Sequence, residues 1–269
     1  MTRTLTVDDL SAMKRDGEKI AMLTCYDATF ARSMDEAGVD IILVGDSLGM
    51  VVQGRSTTVG VRVEDIAYHT ACVARGLGRP FLLADMPFGS YHDAASAMEN
   101  AVELLSAGGA MVKLEGAGPM IDIVDYLTSR GVPVCGHLGL TPQSVNQLGG
   151  FKVQARDEES AGQLLRDAAA LQDAGAQLLV AECIPASLGK ALSAAVDIPV
   201  IGIGAGAECD GQVLVMHDML GLGARAPRFV ADFMQQSDSV QGAFKAFVQA
   251  VREGQFPARE HEYRDAAGG

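Results

Sequence analysis

The sequence has 269 residues, of which 48% are hydrophobic, and a formal net charge of −13 at pH 7. This acidic balance argues against a nucleic-acid-binding protein, which usually needs a basic face. The five cysteines are odd in number and lack CxxC spacing, which argues against a disulfide framework and a structural zinc site.

Neither a signal peptide nor a membrane span is expected. The first 20 residues carry acids early and lack an apolar core region. The longest informative uncharged stretch, residues 131–151, contains two prolines and five glycines and would be a poor membrane span. We therefore expect a cytoplasmic protein with reduced thiols and with neither nucleic acid nor membrane as a partner.

Short apolar runs predict β-strands along the whole chain. Runs of this length are too short for helices and are typical of strands buried on both faces of a sheet. The strands are predicted at residues 20–26, 41–46, 80–85, 111–115, 132–137, 177–182 and 199–203. An eighth candidate, "GQVLVM" at residues 211–216, could equally be helical.

Helical stretches fill the intervals between these strands. They are predicted at residues 28–37, 64–76, 93–107, 119–130, 158–174 and 186–195, and a late amphipathic helix is predicted at 239–253. Three of the helices end at a glycine, which favours the left-handed conformation that closes a helix. In each case an apolar run and then an acid follow: Gly38 leads to Asp46, Gly108 to Glu115 and Gly175 to Glu182.

Strict alternation of strands and helices predicts a parallel sheet. Seven clear strands and a possible eighth favour a closed (β/α)8 TIM barrel, and a doubly wound open sheet is the alternative. Because no linker or composition shift divides the chain, we expect one domain over residues 1–269. The polar tail at residues 258–269 is expected to be loose.

Ionisable residues stand at the carboxyl ends of five predicted strands. Active sites of parallel barrels lie at this end, so we expect these side chains to share one mouth. Several carboxylates in one small space would raise each other's pKa unless a cation neutralised them, and Mg²⁺ with oxygen ligands is the natural cation. The residues are Asp46, Asp85, Lys113, Glu115, His137 and Glu182.

Each of these residues also has an ordinary structural interpretation. Asp46 could cap the next helix, and Asp85 could belong to the turn before Pro87. Lys113 could be an ion-paired lysine and His137 a hydrogen-bonded core histidine. If all the ordinary interpretations held, ionisable groups would stand at the same end of five strands by five independent coincidences. The long polar connection at residues 136–154 has the character of a lid or binding loop, with an ordinary insertion as the alternative.

Several motifs together resemble the ketopantoate hydroxymethyltransferase family. The resemblance covers residues 5–257 in order. One departure is at residues 57–65, where family members usually carry Leu-Pro in place of Val59-Gly60. The motifs are "TCYD" (24–27), "LVGDSLGMVVQG" (43–54), "LLADMPF" (82–88), "MVKLEG" (111–116), "VPVCGHLGLTPQSVNQLGGFKVQ" (132–154), "AECIP" (181–185), "PVIGIGAG" (199–206) and "DGQVLVMHD" (210–218).

This resemblance implies a barrel of the phosphoenolpyruvate/pyruvate superfamily type and an assembly of ten subunits. It implies transfer of a hydroxymethyl group from 5,10-methylenetetrahydrofolate to 3-methyl-2-oxobutanoate, through an enolate stabilised by Mg²⁺, to give 2-dehydropantoate for pantothenate synthesis. By position, it implies metal ligands at Asp46, Asp85 and Glu115, and a proton acceptor at Glu182. The keto-acid contacts that it implies are Asp46, Ser47, Asp85, Lys113 and His137.

Three other functions remain open at the level of sequence. Lys113 on a barrel strand could form a Schiff base with a keto acid, as in an aldolase. A related Mg²⁺-dependent enzyme that cleaves C–C bonds in keto acids would need no folate. A barrel that serves only as a scaffold is disfavoured by the strand-end acids.

Overall fold

Eight parallel strands close into a barrel, so the predicted TIM barrel is confirmed and the open-sheet alternative is wrong. The structure is a computed structural model that describes residues 3–223 and 226–264. The strands are β1 (Ile20–Thr24), β2 (Ile41–Val44), β3 (Phe81–Asp85), β4 (Met111–Glu115), β5 (Val134–Gly139), β6 (Leu178–Glu182), β7 (Val200–Ile203) and β8 (Gly211–Leu214).

The eighth strand decides the architecture. β8 pairs with β7 on one side and with β1 on the other, and Ile20 lies opposite Gly211 in the second pairing. A side chain at Gly211 would meet the backbone oxygen of Ile20 at 2.4 Å, so only glycine permits this approach of the two strands. A short helix begins at Met216, directly after β8, which is why the run 211–216 was compatible with both a strand and a helix.

Helices cover the outside of the barrel at the predicted places. They are α1 (Val7–Asp16), α2 (Ala28–Ala37), α3 (Leu48–Val51), α4 (Val63–Ala74), α5 (Ala94–Ser106), α6 (Pro119–Thr128), α7 (Val145–Leu148), α8 (Glu158–Asp173), α9 (Ala186–Ala195), α10 (Met216–Met219) and α11 (Val240–Arg252). Helix α1 and the short helices α3, α7 and α10 were not predicted. For α1 there was a local signal, because Thr6 and Asp9 form a capping box at its start and Gly17 closes it.

The three glycines that precede β2, β4 and β6 are all left-handed, as predicted. The φ angles are 88° at Gly38, 112° at Gly108 and 92° at Gly175. Each glycine ends a helix and turns the chain into the barrel wall, so the three acids that follow at a similar spacing reach the same end of the barrel.

Part of the tail that we expected to be loose packs on the barrel. Tyr263 pairs with Pro185 in an isolated parallel bridge, and the backbone NH of Ala186 donates to the oxygen of Tyr263 at 3.0 Å. Residues 265–269 lie outside the described residues. In the described ranges, no helix is both long and apolar enough to cross a membrane.

Candidate active site

The carboxyl ends of the strands open into one cavity of about 830 Å³. Because the strands are parallel, each strand-end side chain projects towards this mouth. The cavity is lined by all seven residues predicted for the site: Asp46, Ser47, Asp85, Lys113, Glu115, His137 and Glu182.

Lys113 is the central cation at the floor of the cavity. Its Nζ lies 2.7 Å from Oδ1 of Asp85 and 3.7 Å from Oε1 of Glu115. Burial lowers the pKa of Lys113, but the carboxylates of Asp85, Glu115 and Asp46 outweigh burial and raise it above its ordinary value. Lys113 is therefore charged, and it neutralises part of the acidic cluster.

Asp46 is the strand-end carboxylate that has no ion pair with another described residue. Its backbone NH donates to Oδ2 of Asp85 at 3.0 Å, which brings the ends of β2 and β3 together. Its own Oδ2 is buried and has no hydrogen-bond donor among the described residues. Burial, followed by repulsion from Asp85 and Glu115, holds the pKa of Asp46 well above its ordinary range. The side chain does not act as a cap for α3 within the described chain.

Glu115 is fixed from two sides. Its Oε1 lies 3.2 Å from Nδ1 of His137, and its Oε2 accepts a hydrogen bond from the backbone NH of Gln143 at 3.0 Å. Burial raises the pKa of Glu115, but contacts with His137 and Lys113 outweigh it, so the pKa is lowered. The buried amide of Gln143 also donates to the oxygen of Met86 at 2.9 Å, which anchors the long loop over the floor.

His137 lies between two carboxylates. Its Nδ1 contacts Glu115, and its Nε2 lies 3.2 Å from Oε2 of Glu182. Burial and Lys113 lower the pKa of His137, but the two glutamates raise it further, to about 9. The two glutamates therefore favour the protonated ring, which lies between the floor of the cavity and Glu182.

Ser47 is oriented by a tyrosine that the sequence interpretation missed. The hydroxyl of Tyr26 lies 2.8 Å from Oγ of Ser47, and either oxygen could donate. Tyr26 is buried at the end of β1 and packs against the ring of His217, with centroids 5.7 Å apart. The motif "TCYD" contained this residue, but a hydrogen bond between side chains 21 positions apart leaves no trace in local spacing.

A divalent cation is compatible with this donor set. Asp46, Asp85 and Glu115 each have a buried oxygen without a hydrogen-bond donor in the described part of the chain. Two of these oxygens already face Lys113 or His137, which leaves Oδ2 of Asp46 as the one without a nearby cation. The described residues contain no ready-made cluster of three or more His, Cys, Asp or Glu ligands. Mg²⁺ commonly uses one or two carboxylates and completes its shell with water and substrate oxygens.

Two solved structures share the fold of this chain. 2,3-Dimethylmalate lyase, a member of the PEP mutase/isocitrate lyase superfamily, has a TM-score of 0.54 at 16% identity, over 77% of this chain and 80% of that chain. Phosphonopyruvate hydrolase in complex with oxalate and Mg²⁺ has a TM-score of 0.60 at 11% identity, over 78% and 81%. At such low identities the likeness shows the fold alone, which is the predicted (β/α)8 barrel.

Sequence similarity is much closer to proteins named 3-methyl-2-oxobutanoate hydroxymethyltransferase. The protein of that name from Thiobacillus denitrificans is 55% identical over 260 residues, which cover 96% of this chain and 99% of that protein. The one from Paraburkholderia phymatum is 56% identical over 260 residues, or 96% of each chain. The family model described as ketopantoate hydroxymethyltransferase matches residues 4–259. The chain therefore belongs to the ketopantoate hydroxymethyltransferase family.

Proposed function

We propose that the protein transfers a hydroxymethyl group from 5,10-methylenetetrahydrofolate to 3-methyl-2-oxobutanoate and so forms 2-dehydropantoate. The observation that carries this proposal is the buried group of strand-end carboxylates around Lys113 and His137 in one cavity. Such a floor suits a small keto acid whose carboxylate and carbonyl oxygens need cationic partners. Similarity to the named relatives supports the same reaction.

Asp46 and Asp85, with Glu115 beside them, would hold the Mg²⁺ ion. The buried Oδ2 of Asp46 is the donor that most needs a cation. Bound there, Mg²⁺ would act as a Lewis acid on the oxygens of the keto acid and make the proton on C3 more acidic. Phosphonopyruvate hydrolase, which has the same fold, was solved with oxalate and Mg²⁺, and this supports Mg²⁺ as the ion.

Lys113 and Ser47 would orient the keto acid. The charged ammonium of Lys113 would stabilise negative charge that develops on the 2-oxo oxygen when C3 loses its proton. The hydroxyl of Ser47, fixed by Tyr26, would donate to the substrate carboxylate. Because both groups are already held by neighbours, little reorganisation is needed when charge develops.

Glu182 would take the proton from C3. Its side chain is the more accessible of the two glutamates beside His137, at 14% exposure against 2% for Glu115. His137, whose Nε2 lies 3.2 Å from Oε2 of Glu182, would hold this carboxylate in place while Glu182 takes up the proton. C3 then forms a bond to the one-carbon unit, both C–N bonds of that unit to the folate break, and water supplies the hydroxyl oxygen. The two folate nitrogens take up the proton lost from C3 and one proton of the water.

The Schiff-base alternative is disfavoured by the surroundings of Lys113. A Schiff-base lysine must lose its proton, and this requires a lowered pKa. Three carboxylates around Lys113 raise its pKa instead. Borohydride treatment with the keto acid tests this directly, because a trapped adduct at Lys113 would contradict the proposal and support an aldolase. Loss of activity on addition of EDTA would support the metal-dependent reaction.

We also propose that the protein works in the cytoplasm as a homo-oligomer of ten subunits. Both statements come from the family resemblance. Light scattering of the purified protein tests the second, because a decamer has ten times the chain mass of 28.1 kDa. A monomer or dimer at micromolar concentration would contradict it.

A further inference from the structure

The cavity continues outward beyond the acidic floor. Its total volume of about 830 Å³ is far more than a five-carbon keto acid fills. The outer wall consists of apolar and aromatic side chains together with two cations. These residues include Phe151, Lys152, Arg156, Phe229 and Tyr263.

Lys152 and Arg156 lie on residues 151–157, which we call the basic segment. This segment is anchored to the barrel. Its centre is tied to the end of β6, because the backbone NH of Gln154 donates to the oxygen of Cys183 at 2.9 Å. Its end is fixed by Asp157, which accepts a hydrogen bond from the NH of Ser160 at 2.9 Å and caps α8. Cys183 directly follows Glu182, so this anchor brings the basic segment beside the proposed proton acceptor.

Lys152 and Arg156 have no ion-pair partner among the described residues, although the chain has 34 acidic residues. Lys113, the third lysine or arginine that lines the cavity, is by contrast paired with Asp85 at 2.7 Å. Two unpaired cations at the mouth of a cavity with an acidic floor indicate that an anionic part of a ligand binds there.

The aromatic residues of the outer wall indicate a second property of the ligand. Phe151 is 53% exposed, although it is a large apolar side chain at the edge of the cavity. Phe229 and Tyr263 lie together on the wall, since a side chain at Gly204 would contact both rings at 3.0 Å and 3.1 Å. Aromatic rings around a cavity favour a flat ring system as the ligand.

We propose that Lys152 and Arg156 bind the glutamyl carboxylates of the folate co-substrate, while its rings lie against the aromatic wall. This inference rests on the proposed function, which supplies a ligand with flat rings at one end and carboxylates at the other. The arrangement places the one-carbon unit towards the floor and the anionic tail at the mouth. The carboxylate of the keto acid has Lys113 and Ser47 on the floor and does not need the outer cations.

The test compares two co-substrates in steady-state kinetics. One is 5,10-methylenetetrahydrofolate, and the other is its pteroate analogue, which has the same rings but no glutamate. The variants are Lys152→Gln, Arg156→Gln and the double variant. The matched control is the double variant Arg75→Gln with Lys245→Gln, which also removes one arginine and one lysine. Arg75 directly follows α4 and Lys245 is on α11; both are exposed and neither lines the cavity.

We expect the double variant to raise KM for the folate about tenfold, a change typical of two partly exposed charge pairs. KM for the pteroate analogue and for the keto acid should stay within about twofold of the unmodified protein. The control pair should change none of these constants. An equal KM for the folate in the double variant and the unmodified protein would overturn the inference, and so would an equal loss for both co-substrates.

Failure of the proposed function would look different. In that case the unmodified protein would consume neither co-substrate with 3-methyl-2-oxobutanoate, and there would be no KM to compare. Exchange of the C3 proton of the keto acid in D₂O provides a readout of the floor alone. If the inference is correct, the double variant exchanges this proton at the rate of the unmodified protein; a slower exchange would show that the cations act on the keto acid instead.

Discussion

Nε2 of His137 lies 3.2 Å from Oε2 of Glu182. The opposite ring nitrogen of His137 contacts Glu115, so the imidazole connects the buried floor of the cavity with the more accessible glutamate. This contact joins β5 to β6, where His137 faces Val180 in the register and Glu182 lies two residues further on. It places the carboxylate of Glu182 beside the imidazole ring at the carboxyl end of the barrel.

Glu182→Gln should lower kcat by about 10²-fold to 10⁴-fold, which is the usual loss when a general base is removed. The amide keeps the shape of the side chain but cannot accept the C3 proton. Mg²⁺ affinity should stay within about twofold, because Glu182 is not among the proposed ligands. Steady-state assays and a Mg²⁺ titration measure the two quantities. Unchanged turnover would remove Glu182 from its role as base.

Asp85→Asn should weaken Mg²⁺ binding by at least about tenfold, since a neutral amide is a poor ligand for a hard cation. It should also destabilise the fold by about 3 kcal/mol, because Lys113 loses its closest counter-ion in a buried site. Calorimetric titration and urea unfolding measure these effects.

A matched control separates the two consequences of that substitution. Asp40 is also a buried carboxylate, and it contacts Arg79 at 3.0 Å and Arg252 at 3.2 Å. It differs from Asp85 in lying before β2, at the opposite end of the barrel. Asp40→Asn should destabilise the protein and leave Mg²⁺ affinity unchanged. If both variants bind Mg²⁺ as tightly as the unmodified protein, Asp85 is not a ligand.

Tyr26→Phe should raise KM for the keto acid about threefold to tenfold, as expected when one buried hydrogen bond that orients a binding group is lost. The phenyl ring keeps its packing against His217, so the fold should be little affected. Ser47→Ala should have a similar effect, and the double variant should be no worse than Ser47→Ala alone. Fully additive effects would show that Tyr26 does not act through Ser47.

The buried thiol of Cys209 should make the fold less stable in alkali. Burial raises its pKa from 9.0 to about 12, so between these values the unfolded chain releases a proton that the folded chain keeps. The free energy of unfolding therefore falls as pH rises above 9. In Cys209→Ala this fall should be smaller by up to about 1.4 kcal/mol per pH unit. Urea unfolding from pH 8 to pH 10.5 measures both slopes; identical slopes would contradict the role of Cys209.

Much of the fold and the floor of the site was predictable from local patterns. A helix-closing glycine, a short apolar run and an acid recur at Asp46, Glu115 and Glu182, and each part of that pattern has a local physical cause. Parallel strands then bring their ends together without further information. The predicted strand boundaries differ from the observed ones by two residues or fewer, because the polar residues that end each run are easy to recognise.

The residues that orient the site were not predictable in this way. Gln143 holds Glu115 from 28 positions away, and Tyr26 holds Ser47 from 21 positions away. Such contacts depend on how the loops fold over the barrel, and they have no fixed spacing. Tyr263 was assigned to a loose tail because its surroundings are polar, but its backbone oxygen binds the start of α9. The polar composition predicted a loose tail, but this tertiary contact holds Tyr263 against the barrel.

The most direct test of the central claim is the rate at which the purified protein consumes 5,10-methylenetetrahydrofolate in the presence of 3-methyl-2-oxobutanoate, with Mg²⁺ and after EDTA treatment. The account predicts formation of 2-dehydropantoate with Mg²⁺, none without the keto acid, and recovery of the lost activity when Mg²⁺ is added back to the EDTA-treated protein. Full activity of the metal-free protein, or no consumption of the folate under any of these conditions, would contradict it.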